Sequence, residues 1–296
     1  MRLTAMAFTA GTGWTRGAAR LLAAAWLLAG AAGSAWACDL QVPAAEPLGF
    51  YRPSTQGSMP RPLGVRVRAG TSVCSGTLQV QWAGVNGELM LQGPGGGLRV
   101  ALTLDAAGTA PLPAAPQDAT AVLANPGSAQ DVSLWARVLP DQWLAPGTYQ
   151  APLWLRVLDA RGGTLDERDL SLWLVVEAEV RASFSGGDRS ARLDFGELAQ
   201  GARRAALLDV RANTAHRMTL QSTQRGRLVN RRFPDSTVPY VLRVGGRLMP
   251  LAGGAAGLEQ PVAGRSQHAI EAEIGPVERV LAGDYADDLL ITIEAR

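Results

Sequence analysis

The sequence predicts an all-β protein made of two β-sandwich domains in tandem, the second lacking its final strand. Three observations predict it. After residue 37 the chain is filled with short runs of alternating apolar and polar residues, broken by Gly and Pro, with hardly any helical periodicity. A strand-turn-strand unit occurs twice at one long offset. The strong strand that follows its first copy has no counterpart after the second.

In chain order, residues 1–37 are expected to be a signal peptide. Arg2, Arg16 and Arg20 make a positive n-region, "LLAAAWLLAGAA" from Leu21 to Ala32 is an apolar h-region, and Ala35-Trp36-Ala37 is an A-x-A cleavage signal. The mature chain then begins at Cys38. A cysteine at the junction also suggests a lipoprotein, but the bulky Trp36 stands where a lipobox wants a small residue. No later apolar run reaches the roughly 18 residues a membrane helix needs.

All 28 basic residues are Arg, and the sequence contains no Lys. Losing the three leader arginines leaves 25 basic against 26 acidic residues, a balance of −1. Such a chain has no electrostatic case for nucleic acid. Without Lys there is no Schiff base, no P-loop lysine and no Ser-Lys catalysis. The mature length suits two domains, expected at 38–182 and 183–296. The two cysteines, Cys38 and Cys74, are expected to form one disulfide in an exported protein rather than a metal site.

Strands are expected at "TLQVQW", "LRVALTL", "DVSLWARV", "APLWLRVL" and "LSLWLVVEAEV" in the first domain, and at "YVLRV", "HAIEAEI" and "LLITI" in the second. Turn signals such as "VNG", "LAPG", "ARGG" and "VGGR" separate them. The glycine run "GPGGG", Gly93 to Gly97, is expected to be a flexible hairpin connection and not a phosphate cradle, since no helix follows it and there is no Lys.

"LWARVLPDQWLAPGTYQAPLWLRV" (Leu134 to Val157) aligns without a gap to "IEAEIGPVERVLAGDYADDLLITI" (Ile270 to Ile293), bringing Gly147 onto Gly283, Tyr149 onto Tyr285, and Leu153, Leu155 and Val157 onto Leu289, Ile291 and Ile293. After Val157 the first domain lays down Leu170 to Val180, with Leu172, Leu174 and Val176 on one face and Trp173 and Val175 on the other; after Ile293 only Glu-Ala-Arg remains. A sandwich one strand short exposes a row of backbone groups and an apolar trough. Filling it with four or five apolar side chains is worth on the order of 6 to 15 kcal/mol, which favours strand addition by another chain. The alternative is an ordinary edge strand guarded by Asp287, Asp288 and Glu294.

"LDFGELAQG" (Leu193 to Gly201), "VPYVLRV" (Val238 to Val244) and "LAGDYADDLLITIEA" together resemble the spore-coat-protein-U-like domain of archaic, Csu-type chaperone–usher pili, over roughly Arg189 to Arg296. The opening "CDLQV…LGFYRP…VRVRAGTSVCSGTLQV" resembles the start of the same domain more loosely. The resemblance implies immunoglobulin-like sandwiches, the second an incomplete pilin domain whose acceptor groove involves Phe195, Tyr285, Leu289, Ile291 and Ile293. It also implies a periplasmic chaperone, an outer-membrane usher and an adjacent pilin subunit as partners. The second domain has no cysteine, a departure from pilins of this kind. With Cys38 tethered in the first strand no donor arm is expected, so such a subunit would sit at a fibre's end: periplasmic in transit, then at the cell surface.

All five tryptophans beyond the leader lie in the first domain. Trp135, Trp154 and Trp173 fall in strand runs and are expected in a core or a domain interface. Trp82, Val85, Leu139, Trp143 and Leu144 fall at turn edges and are expected to be exposed loop residues able to bind an abiotic or host surface, as the resemblance implies for a tip adhesin; the alternative is that they roof the sandwich. An enzyme is disfavoured, because His216 and His268 are the only histidines and no G-x-S-x-G occurs. No catalytic residue, metal ligand set or cofactor is expected. Two other readings use the same kind of domain: a periplasmic chaperone, which must donate a strand, and a spore-coat or matrix protein.

Overall fold

The structure, a computed structural model, describes residues 2–7, 38–54, 59–69, 76–85, 88–112, 120–123, 130–131, 134–159 and 161–296. Every regular element among them is a strand, as the period-2 pattern predicts. The chain forms two compact units, one of Thr12–Glu177 and the other of Met1–Gly11 with Ala178–Arg296. Val180–Phe184, which spans the boundary expected at 182, pairs with Arg203–Ala212 in the second unit.

The N-terminal unit is built on the long antiparallel hairpin of Gly147–Leu158 and Thr164–Val176. Its turn closes on Asp159, whose carboxylate accepts from the backbone N–H of Arg161 (2.8 Å) and Gly163 (2.7 Å); these bonds hold its carboxyl below the usual range. The second strand of the hairpin ends at Val176, four residues earlier than the run to Val180 suggests. Gly76–Trp82 flanks Gly147–Leu158 on one side, and Ala45–Tyr51 runs parallel to Thr164–Val176 on the other. Leu153, Leu155 and Val157 join Leu170, Leu172, Leu174 and Val176 in one buried cluster. Each fully buried side chain of this size is worth about 1.5 to 3 kcal/mol.

The C-terminal unit has two sheets around its own core. In one, the order is Ser190–Arg192, Arg2–Ala7, Asp288–Ala295, His216–Ser222, Ala255–Gln260. In the other it is Val180–Phe184, Arg203–Ala212, Gly264–Ile274, Thr237–Val244, Arg227–Asn230, Tyr285–Ala286. Alternate residues of both sheets point inward, among them Leu208, Val210, Met218, Leu220, Ile270 and Ile291.

The internal repeat is visible in hydrogen bonds. Tyr149 donates its hydroxyl to the carbonyl of Ala145 (2.8 Å), and Tyr285 donates to the carbonyl of Leu281 (2.7 Å), in both cases four residues upstream. In both copies a glycine with positive φ, Gly147 (142°) and Gly283 (150°), turns the chain just before the tyrosine. Such a tyrosine pins the loop to the strand that leaves it.

Candidate strand-acceptor seam

The two copies share one flank and differ at the other. In the N-terminal unit Leu153, Leu155 and Val157 pair with Trp82, Val80 and Leu78; in the C-terminal unit their counterparts Leu289, Ile291 and Ile293 pair with Ser222, Leu220 and Met218. On the far flank, Leu153 is opposite Leu170 in the antiparallel strand that follows in the chain. Leu289, Ile291 and Ile293 are instead opposite Leu3, Ala5 and Ala7, in a parallel ladder running from Arg2↔Asp288 to Ala7↔Ile293. Arg2, Leu3 and Thr4 also pair with Arg192, Ala191 and Ser190. The seam expected to be open is therefore closed in the full chain, and its occupant is Arg2–Ala7, within the segment expected to be a leader. The physical reason is the one that made the seam conspicuous in sequence: unpaired backbone beside an apolar trough is filled by whatever extended segment can reach it.

Leu289, Ile291 and Ile293 are fully buried, and Phe195 is buried in the same core. Tyr285 is partly buried and packs against the same core, but from the other sheet. Its strand pairs with Arg227–Asn230 in the other sheet, and its hydroxyl also contacts Ser236 Oγ at 2.6 Å.

One end of the terminal strand is locked by Asp287, which the sequence offered as an exposed edge guard and which is instead buried. Asp287 accepts from Ser222 Oγ (2.6 Å), Tyr240 Oη (2.6 Å) and the backbone N–H of Gln224 (3.0 Å), while Ser222 Oγ accepts from the N–H of Gly226 (2.7 Å). Burial, then the carboxylate beside it, pushes the Tyr240 phenol far above its ordinary value, so it stays a donor. A signal was available, since the repeat aligns Asp287 with Ala151, a buried position. At the other end His216 stands opposite Ala295, and His268 enters the core from the facing sheet. Burial lowers the pKa of both below the ordinary imidazole value, with the other ring adding to the effect at His268 and the Thr214 backbone opposing it at His216.

Of the loop residues expected to be exposed, Trp82 is buried and Leu139, Trp143 and Leu144 keep only part of their surface in water. Trp82 is 4% exposed and belongs to the core, because it follows Leu78 and Val80 at strand spacing on the inward face. Leu139 and Leu144 are half-buried, as is Trp143, whose indole N–H donates to Asp141 Oδ1 at 3.0 Å. Val85 lies in Gly84–Val85, paired with Glu88–Gly93, and its side chain is outside what the structure describes. Of the tryptophans expected in a core or a domain interface, Trp154 and Trp173 are 38% and 36% exposed, and Trp135 is half-buried. Cys38 starts a strand opposite Ala69, and its expected partner Cys74 lies outside the described residues. No group of three or more potential metal ligands occurs among the described residues.

No family model and no curated protein matches the chain. Solved structures do. The CsuC–CsuE chaperone–tip adhesion subunit pre-assembly complex of Acinetobacter baumannii archaic Csu pili is similar at 14% identity and a TM-score of 0.48, covering 86% of this chain and 100% of that one. CfaE, the adhesive subunit of the CFA/I fimbria of enterotoxigenic Escherichia coli, is similar at 11% identity and a TM-score of 0.36, with coverages of 86% and 99%. The CupB6 tip adhesin of Pseudomonas aeruginosa is similar at 11% identity and a TM-score of 0.34, with coverages of 88% and 98%.

Proposed function

We propose that this chain is a tip adhesin subunit of a chaperone–usher pilus. Its C-terminal unit accepts a donor strand along Asp288–Ala295, first from a periplasmic chaperone at the usher and then from the adjacent pilin, and its N-terminal unit meets the surface to be bound. It works by binding, without catalysis. One observation carries the reading: the flank that the N-terminal unit fills with its own Thr164–Val176 is filled in the C-terminal unit by Arg2–Ala7, inside the leader expected to be discarded. Removing the leader strips Leu289, Ile291 and Ile293 of their partner strand. An apolar trough beside unpaired backbone then needs a strand from another chain. A periplasmic chaperone, the rival two-domain protein, donates such a strand and has no such need.

The test is to produce residues 38–296 alone, with a co-expressed chaperone, and with a pilin donor segment appended after Arg296 through a short linker. The expected result is aggregation of the first and soluble, cooperatively melting protein from the other two. A stable monomer of residues 38–296 alone, whose melting a donor peptide does not shift, would overturn the reading.

A further inference from the structure

The outward face of the N-terminal unit's main hairpin carries an ordered stripe, visible row by row in the strand register. Phe50 is opposite Val175, Pro47 opposite Trp173, and Trp154 opposite Asp169. Gln150 pairs with Trp173 on the next strand and Pro152 with Ser171, so uncharged hydrogen-bonding side chains alternate with the apolar ones. Phe50 is 73% exposed, and the two indoles keep over a third of their surface in water. From Val175 to Asp169 the stripe runs six residues, about 20 Å, and the two tryptophan rows lie about 13 Å apart.

Charge at the stripe's ends is compensated within the face. Arg52 pairs with Glu177 beyond Phe50, and Arg156 pairs with Glu167 at 2.6 Å beyond Trp154. Between these pairs Asp169 is the charged residue on the face, and it stands beside Trp154. An anionic polymer would meet that carboxylate, and the face offers a cationic one a single charge. A hydrocarbon surface would strip water from Gln150, Ser171 and Asp169 and return no hydrogen bonds, which is costly. An uncharged chain dense in hydroxyls repartners them and lays its C–H faces on the exposed rings.

We infer that this stripe binds a neutral polysaccharide lying lengthwise across the sheet face, with Trp173 and Trp154 as the two stacking platforms. The inference rests on the reading that the N-terminal unit is the binding unit, and it names the ligand class. The platform spacing calls for several sugar units in a row, so a monosaccharide competes poorly.

The full 296-residue chain should be slowed in native gels cast with dextran, amylose or galactomannan, by at least one of the three. Alginate, an anionic polymer, should not slow it. Trp173→Ala and Trp154→Ala should each weaken binding by about tenfold or more, and Phe233→Ala, at an exposed ring of the C-terminal unit, should leave it unchanged. If either alanine variant unfolds, Trp173→Thr and Trp154→Thr keep strand propensity and serve instead. No retardation by any neutral polymer, retardation unaffected at both tryptophans, or equal binding to alginate would overturn the inference. So would adsorption to polystyrene that needs the two tryptophans while no polysaccharide binds. Melting of the same variants with a donor peptide reads the seam separately, so either idea can fail without the other.

Discussion

Asp287 is held by two hydroxyls and one backbone N–H in a site closed to water, and breaking such a network leaves its other members unsatisfied. Asp287→Asn puts an amide donor against hydroxyls that are themselves donors. It should lower stability by about 1 to 3 kcal/mol, seen as a lower denaturant midpoint at unchanged slope. Tyr240→Phe removes one of the three donors and should cost less. The two buried histidines set a pH dependence. Their folded pKa values lie below the ordinary value because burial disfavours the charged ring, whereas the unfolded chain titrates near about 6.5. The unfolded state therefore binds more protons below that pH. Stability should be complete above about pH 6.5 and fall on acidification, and His268→Gln should flatten the profile; thermal melts from neutral to acid pH check the sign.

At the scale of elements, the "GPGGG" hairpin is more constrained than a flexible connection. A Cβ on Gly93 would lie 2.6 Å from the Tyr149 ring, and one on Gly95 would lie 2.5 Å from the Ala145 backbone nitrogen. The Gly95 N–H also donates to Tyr149 Oη at 2.9 Å. The glycines are needed so that the hairpin can close over the tyrosine. Gly93→Ala should destabilise the N-terminal unit by about 1 to 3 kcal/mol through overpacking, read from tryptophan fluorescence of residues 38–296, whose five tryptophans are all there. The strands themselves were legible: the runs at 77–82, 151–158 and 289–293 all lie within strands. Strands such as Arg203–Ala212 were not read, because "RRAALLDVRA" is broken by charges and alanines and its inward face is only decided by pairing with Gly264–Ile274.

For the whole molecule, the asymmetry between the units yields a spatially resolved prediction. Hydrogen exchange of residues 38–296, kept soluble at low concentration, should show faster exchange than the full chain at alternate amides of Asp288–Ala295 and in Ser190–Arg192. These face the vacated strand position. Exchange in Gly147–Leu158 should be unchanged, because its neighbours on both flanks belong to its own unit. Uniform exchange across both states would mean that Arg2–Ala7 contributes nothing to the seam.

The sequence by itself determined the all-β class and the tandem repeat, since alternation, turn chemistry and self-similarity are local properties that survive without coordinates. It even separated Leu172, Leu174 and Val176 from Trp173 and Val175 as opposite faces of one strand. Only the tertiary structure decided which of those faces looks into the core, because both are apolar and the choice depends on which sheet packs against them. The same holds for Trp82, drawn inward by its strand partners, and for the seam, whose occupant is fixed by the reach of a distant segment rather than by any residue beside it.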